Sequence, residues 1–295
     1  MRIVVVGAGV IGLTCAHRLV RAGHAVEVWS RDRVEDTTSA VSAAIWYPYR
    51  AFPAESVTRW AAATYDMLAI LSVRPETAVA LRRGRELFRA PVADPWWLAA
   101  VPRLGRVRDL PPGYADGYEF AAPVVRMPAY LHWLLDELAA AGVALVRREV
   151  ANLAAVDADV VVNASGLGAC ELAADPTVTG LRGQVVRVAD PGLAGWTLDE
   201  GHPDGLVYVV PRGTDVVLGG TAGDEEADPA AIVRRCVEVV PELAGAPVLG
   251  HGVGYRPVRP AVRLERVGNV VHCYGHGGAG VTLSWGCADE VVSLV

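Results

Sequence analysis

The fold class this sequence predicts is a Rossmann-like α/β domain interleaved with an α+β domain built on an antiparallel sheet. Three observations predict it. An apolar β-branched run at residues 3–6 leads into Gly7-Ala8-Gly9-Val10-Ile11-Gly12 and then into a helical pattern (Leu13, Ala16, Leu19, Val20). A second strand pattern at residues 25–29 closes a βαβ unit, the context a dinucleotide motif requires. From Leu181 onward the periodicity changes to alternation, with hairpin signals and one helix.

In the opening unit each glycine has a physical task. Gly7 permits the tight turn, Gly9 lets a pyrophosphate approach the backbone, and Gly12 lets helix and strand pack closely. Ala8, Val10 and Ile11 fill the turn, and the helix directs free N–H groups and its positive end at the diphosphate. After the second strand, Arg31 and Asp32 stand where such folds present an acid to a ribose; the arginine in that spot weakens a simple NAD reading. Thr37, Thr38 and Ser39 then offer three hydroxyls to phosphate oxygens. The small residues through Ala44, before Ile45 and Trp46, let a flat ring come near the main chain. The plainer reading of this stretch is an N-capped helix start and a packed turn.

Helical spacing follows at residues 55–72, then a proline-punctuated region of short elements in which Trp96 and Trp97 read as core packing. Residues 118–126 suit an extended strand. Residues 128–141 suit a helix, with Pro128 at its start and Gly142 at its end. Strands are predicted at 143–150 and 158–163, the latter running into Ala164-Ser165-Gly166 beside a nucleotide. Strands at 206–211 and 215–220 flank Arg212-Gly213-Thr214 as a hairpin. Residues 190–205, Gly-rich and acidic, read as a mobile loop over a site. Asp224-Glu225-Glu226 reads as solvated charge before a helix at 229–240, not as a metal site. This order implies a discontinuous nucleotide domain at 1–50, 127–180 and 255–295, and a substrate domain at 51–126 and 181–254.

Composition narrows the class. With 295 residues, 52% hydrophobic and 20% charged, the chain has a sizeable core and needs no staple. A net charge of −6 argues against nucleic acid or an anionic membrane as principal partner. No apolar run approaches the roughly 18 residues of a membrane span, and the opening run is a nucleotide strand rather than a signal peptide. A cytoplasmic location is expected. Five scattered cysteines read as reduced thiols, with a Cys236–Cys287 bridge left open. The histidines have no metal-ligand spacing, and there is no Gly-x-Ser-x-Gly.

The last informative stretch is Gly254-Tyr255-Arg256-Pro257-Val258-Arg259-Pro260, followed by Tyr274-Gly275-His276-Gly277-Gly278-Ala279-Gly280-Val281-Thr282. Arg256, on a Gly- and Pro-braced strand, is a fixed anion clamp whose planar fork takes a carboxylate bidentately. The glycines again place N–H groups at a helix start and let a carbonyl face inward.

Taken with Thr37-Thr38-Ser39, Ala44-Ile45-Trp46-Tyr47-Pro48-Tyr49, Val161-Val162-Asn163-Ala164-Ser165-Gly166 and Tyr208-Val209-Val210-Pro211, these blocks run in family order along nearly the whole chain. The chain resembles the D-amino-acid oxidases, flavoproteins of the glutathione-reductase-like FAD fold. The resemblance implies that Arg256 pairs a substrate carboxylate with help from Tyr208, and that the Gly278 carbonyl accepts from the substrate amine. It implies that Gly277, Gly278, Gly280, Val281 and Thr282 surround the flavin, and that Thr37, Thr38, Ser39, Ala44, Ile45 and Trp46 hold phosphates and ring. Val150, Ser165 and Gly166 lie by the adenosine. Ile45, Tyr47, Tyr49 and Val210 form the side-chain pocket.

The implied reaction is hydride transfer from Cα of a neutral D-amino acid to flavin N5. O2 is the acceptor, and 2-oxo acid, ammonia and hydrogen peroxide are the products; placement replaces protein acid–base work. Asp204 stands where relatives often carry another tyrosine, and Ala279 where animal enzymes carry one. No arginine occurs at 190–205, which argues against a dicarboxylic substrate; Asp199, Glu200 and Asp204 would instead admit a basic side chain. The alternatives are an FAD amine oxidase acting on glycine, N-methyl amino acids such as sarcosine, or D-aspartate; an NAD(P)-dependent dehydrogenase; and a non-catalytic flavin-binding protein. A homodimer is left open.

Overall fold

The computed structural model describes every residue except Asp224 and Glu225, so the acidic run at 224–226 lies mostly outside the described residues. Five strands form a parallel group: β1 (Arg2–Val6), β2 (Ala25–Ser30), β6 (Ala144–Arg147), β7 (Val160–Asn163) and β13 (Val270–His276). The others are β3 (Val79–Phe88), β4 (Leu104–Arg106), β5 (Asp116–Val125), β8 (Thr179–Ala189), β9 (Trp196–Asp199), β10 (Val207–Pro211), β11 (Asp215–Gly219) and β12 (Val248–Val267). All join one mixed sheet in the order β4-β5-β3-β9-β10-β11-β8-β12-β13-β7-β1-β2-β6. β12 pairs with both β8 and β13 in antiparallel fashion and so joins the parallel group to the rest. The parallel strands β1 and β7 are buried on both faces, which is why they read as unbroken valine runs.

The helices are α1 (Val10–Arg21), α2 (Thr38–Val41), α3 (Ala54–Leu71), α4 (Ala129–Ala140), α5 (Ala169–Leu172), α6 (Pro229–Val239) and α7 (Gly280–Ser293). α1, α3, α4 and α7 pack into the main core, with Leu13, Leu19, Leu68, Leu131 and Trp285 all fully buried. Each such aliphatic side chain contributes about 1.5–3 kcal/mol by leaving water. α7 touches α3 so closely that a β-carbon on Gly286 would lie 2.3 Å from the Trp60 carbonyl. A second core forms where Ile232 and Cys236 of α6 meet valines of β8, β10 and β11.

The hairpin of β10 and β11 is antiparallel as the alternation predicts. Three expectations fail. The stretch 190–205 is not a loose loop: it contains β9, with Trp196 1% and Asp199 0% exposed. The Trp196 ring lies over Gly84, where a β-carbon would come within 2.2 Å of it, and its Nε1 donates to the Arg82 carbonyl. The proline-punctuated region hides a ten-residue strand, β3. Trp97 is buried as read, whereas Trp96 is exposed and stacks on Phe52. All five cysteines are free, and Cys236 and Cys287 belong to different cores, which removes the open bridge. No helix among the described residues is long and apolar enough to cross a membrane.

Candidate active site

One cleft of about 670 Å³ runs along the carboxyl ends of the parallel strands. The β1–α1 turn forms its floor. Gly7 has φ +117 and faces the Ala164 carbonyl, 2.3 Å from where its β-carbon would be. A β-carbon on Gly12 would fall 1.9 Å from the Gly7 carbonyl oxygen. Gly9 caps α1 with no side chain to satisfy the first N–H groups, and no acid lies in the first turn. The helix start is therefore a ready anion site, partly oriented by Ser39, whose Oγ accepts from the Val10 N–H at 3.0 Å. Gly7, Ala8, Gly9, Val10 and Ile11 line the cleft; Gly12 does not, because its role is the close helix–strand contact.

Arg31 and Asp32 line the cleft as a mutual pair, Nε to Oδ1 at 3.2 Å and Nη2 to Oδ2 at 3.1 Å. Thr37, Thr38, Ser39, Ala44 and Ile45 continue the wall, and Val150, Ser165 and Gly166 face them. Ser165 is held by Asn163, whose Oδ1 accepts from its Oγ at 2.7 Å. Thr38 donates its hydroxyl to the Tyr255 carbonyl at 2.9 Å, tying this loop to β12. The cradle of backbone N–H groups, hydroxyls and absent β-carbons fits a dinucleotide diphosphate, and the cleft volume suits a cofactor of FAD size.

Trp46 stands apart from the cleft. It is 0% exposed, donates Nε1 to the Ala61 carbonyl at 2.9 Å and packs edge-on against Tyr65. Ile45 takes the outward position because residue 45 makes an antiparallel bridge to Val124, which turns its neighbour inward. Val210 is also fully buried and does not line the cleft. Thr282 is buried as well; its Oγ1 accepts from the Tyr47 N–H at 3.0 Å and donates to the Tyr47 carbonyl at 2.9 Å, locking the loop to α7.

Gly277, Gly278, Gly280 and Val281 line the cleft together with Arg256, Tyr208, Tyr47 and Tyr49. Glycines make the room for this group. A β-carbon on Gly278 would lie 3.0 Å from the Tyr49 ring and 3.5 Å from Arg256 Cδ. A β-carbon on Gly219 would fall 1.7 Å from Tyr208 Cζ, and one on Gly220 2.7 Å from its hydroxyl. Arg256 is steadied by the Thr221 carbonyl, which accepts from Nη1 at 3.0 Å. Burial pushes the Tyr208 hydroxyl up in pKa, only partly offset by the adjacent Arg256, so it stays protonated. Tyr49 is raised by burial too, and further by Glu200.

Gly183, Leu198 and Leu206, which no motif in the sequence marks, also line the cleft, whereas of the acids Asp199, Glu200 and Asp204 the first and last do not. Only Glu200 lines the cleft, its carboxyl raised in pKa by burial. Asp199 is spent on Arg89 at 2.8 Å and the Tyr114 hydroxyl at 2.7 Å. Asp204 is exposed. Behind the wall, the Tyr47 hydroxyl is 2.8 Å from both oxygens of Glu86, which is 2% exposed. Burial drives the Glu86 carboxyl up to about 8. His276 is driven down to about 4 by burial and is neutral. Its ring lies with the thiols of Cys273 and Cys287 in a buried group whose polar atoms are all within 4.8 Å of one another.

A family model described as FAD dependent oxidoreductase matches residues 2–294. A D-amino-acid oxidase of Rubrobacter xylanophilus is 53% identical over 311 residues, covering 99% of this chain and 95% of that protein. A D-amino-acid oxidase of Streptomyces coelicolor is 44% identical over 308 residues, covering 99% and 96%. Among solved structures, glycine oxidase from Geobacillus kaustophilus aligns with a TM-score of 0.82 at 19% identity, covering 99% of this chain and 94% of that one, a likeness of fold alone. The chain belongs to the FAD dependent oxidoreductases, alongside the D-amino-acid oxidases.

Proposed function

We propose that the protein catalyses the oxidative deamination of D-amino acids, neutral ones above all: D-amino acid, O2 and water give 2-oxo acid, ammonia and hydrogen peroxide. The observation that carries this reading is the meeting of Arg256, Tyr208, Tyr49 and the Gly278 backbone in the cleft that the β1–α1 glycines open. FAD, when bound, takes the two electrons of the substrate Cα–H bond and passes them to O2.

The protein's own part is placement. Arg256 pairs the carboxylate with its fork, and the protonated Tyr208 hydroxyl donates a further hydrogen bond. The Gly278 carbonyl accepts from the amine. Ile45, Tyr47, Leu198 and Leu206 form the wall along the side chain. No general base is required, and the nearby titratable groups suit that: His276 is buried and neutral, and Glu86 is engaged by Tyr47. Glu200 in the wall, with no arginine on 190–205, disfavours a dicarboxylic substrate.

In this reading segments 1–50, 127–180 and 255–295 hold the cofactor, and 51–126 and 181–254 hold the substrate. Residues from both sets line the cleft, which supports the division. The deciding experiment is anaerobic addition of D- and then L-alanine to the purified yellow protein. Bleaching by D-alanine alone supports the proposal; a protein that takes up no FAD, or that bleaches with the L-enantiomer, overturns it.

A further inference from the structure

A second cavity, of about 260 Å³, shares no lining residue with the cleft. It lies where the tip of the β10–β11 hairpin meets the start of β3 and the end of β5, and three of its walls are arginines: Arg82, Arg126 and Arg212. Arg212 is rigidly built in. Its side chain is 4% exposed; it donates to Asp215 Oδ1 at 3.0 Å, to Oδ2 at 2.5 Å and to the Met127 carbonyl at 3.2 Å. Asp215 is the carboxylate at this site, and it is shared with Arg187 at 3.8 Å.

Arg82 and Arg126 are not compensated. Neither side chain has an ion pair or hydrogen bond with any described residue. The Nε of Arg82 is buried without a partner. The strand ladder supplies no acid, because Ala122 stands opposite Arg82 on β5. The Arg82 guanidinium lies over the hairpin tip, its Nη2 3.2 Å from where a β-carbon of Gly213 would be, and Thr214 adds a hydroxyl to the lining. Most other arginines of this chain sit beside carboxylates or carbonyls. A cavity that gathers two unpaired guanidinium forks and a fixed third, with a buried N–H unsatisfied, presents the donor set that suits an oxyanion.

We propose that this cavity binds a small oxyanion of the phosphate class, gripped by Arg82 and Arg126 against the fixed Arg212. The site shares no lining residue with the FAD cleft.

The test is calorimetric titration of the FAD-loaded protein with inorganic pyrophosphate and with phosphate in low-chloride buffer, with the cleft filled so that its own anion site is out of play. One saturable site is expected, weakened at least tenfold in Arg82→Gln and in Arg126→Gln, each retaining its full flavin content as proof of folding. AMP serves as a further arm: affinity equal to that of phosphate assigns a free anion, tighter affinity assigns the phosphate of a nucleotide. Absence of saturable binding, or binding that survives the Arg82→Gln/Arg126→Gln double variant, overturns the proposal.

Discussion

The guanidinium of Arg256 faces the bare Cα of Gly183, so that a β-carbon on Gly183 would stand 2.6 Å from its Cζ and from both Nη atoms. Gly183 is thus the seat of the proposed clamp, by close approach rather than by a hydrogen bond. Gly183→Ala is expected to push Arg256 aside and lower kcat/KM for D-alanine at least tenfold, in keeping with about 1.5–3 kcal/mol for a charged hydrogen bond. Flavin content should be unchanged. Steady-state kinetics beside the absorption spectrum checks this; wild-type kcat/KM would show that the contact does not position the arginine.

Gly12→Ala should act on the cofactor instead. Its β-carbon would lie 1.9 Å from the Gly7 carbonyl, a backbone atom that cannot swing away. Moving α1 off β1 spoils the N–H cradle, so the variant should purify with little flavin. The ratio of flavin to protein absorbance measures the loss, and a fully yellow Gly12→Ala protein would remove the cradle argument.

Glu86 makes stability depend on pH in a definite direction. Its carboxyl ionises near 4.5 when unfolded but near 8 when folded, since burial disfavours the charge. The unfolded chain therefore holds fewer protons between these values, and stability falls as pH rises through that window. Glu86→Gln keeps a partner for the Tyr47 hydroxyl and carries no charge. Thermal denaturation from pH 5 to 8 should show a flatter decline and a higher melting temperature near pH 8 for the variant. A variant that melts lower than wild type at pH 8 would contradict the assignment.

Glu200 bears on substrate range. Half-buried in the wall, it should repel a side-chain carboxylate, leaving D-glutamate slower than D-valine, D-methionine and D-arginine. Glu200→Gln is expected to raise the D-glutamate rate relative to D-valine several-fold and to lower that of D-arginine. Oxygen uptake with the four amino acids reads both ratios; D-glutamate as the fastest substrate of the wild type would refute the reading.

Local chemistry made much of this molecule legible. A valine strand breaking into three glycines permits few structures, and an arginine between Gly and Pro on a strand has few places to go. What escaped depends on distant neighbours. Trp196 and Asp199 look like loop residues until Gly84 offers a flat seat to one and Arg89 and Tyr114 neutralise the other. β3 was hidden by its own charges, Arg82, Arg83, Arg85 and Glu86, of which Glu86 turns inward to meet Tyr47. Trp46 sits in a cofactor-loop motif, yet it is buried away from the cleft. A single bridge from Ile45 to Val124 decides which of the two neighbours faces the cleft, and no local pattern encodes that bridge.

The hydrogen bond from Thr38 to the carbonyl of Tyr255 has a consequence for how the two halves of the reaction keep their spacing. Tyr255 is the residue immediately before Arg256, so the loop proposed for the cofactor and the arm proposed for the substrate hang from adjacent links of one strand. There β12 is paired with β8, and from Val258 onward with β13 as well, which holds its register. If Thr38 bears on the cofactor and Arg256 on the substrate, as proposed, the separation between electron donor and electron acceptor is set as on a ruler, by the geometry of one strand.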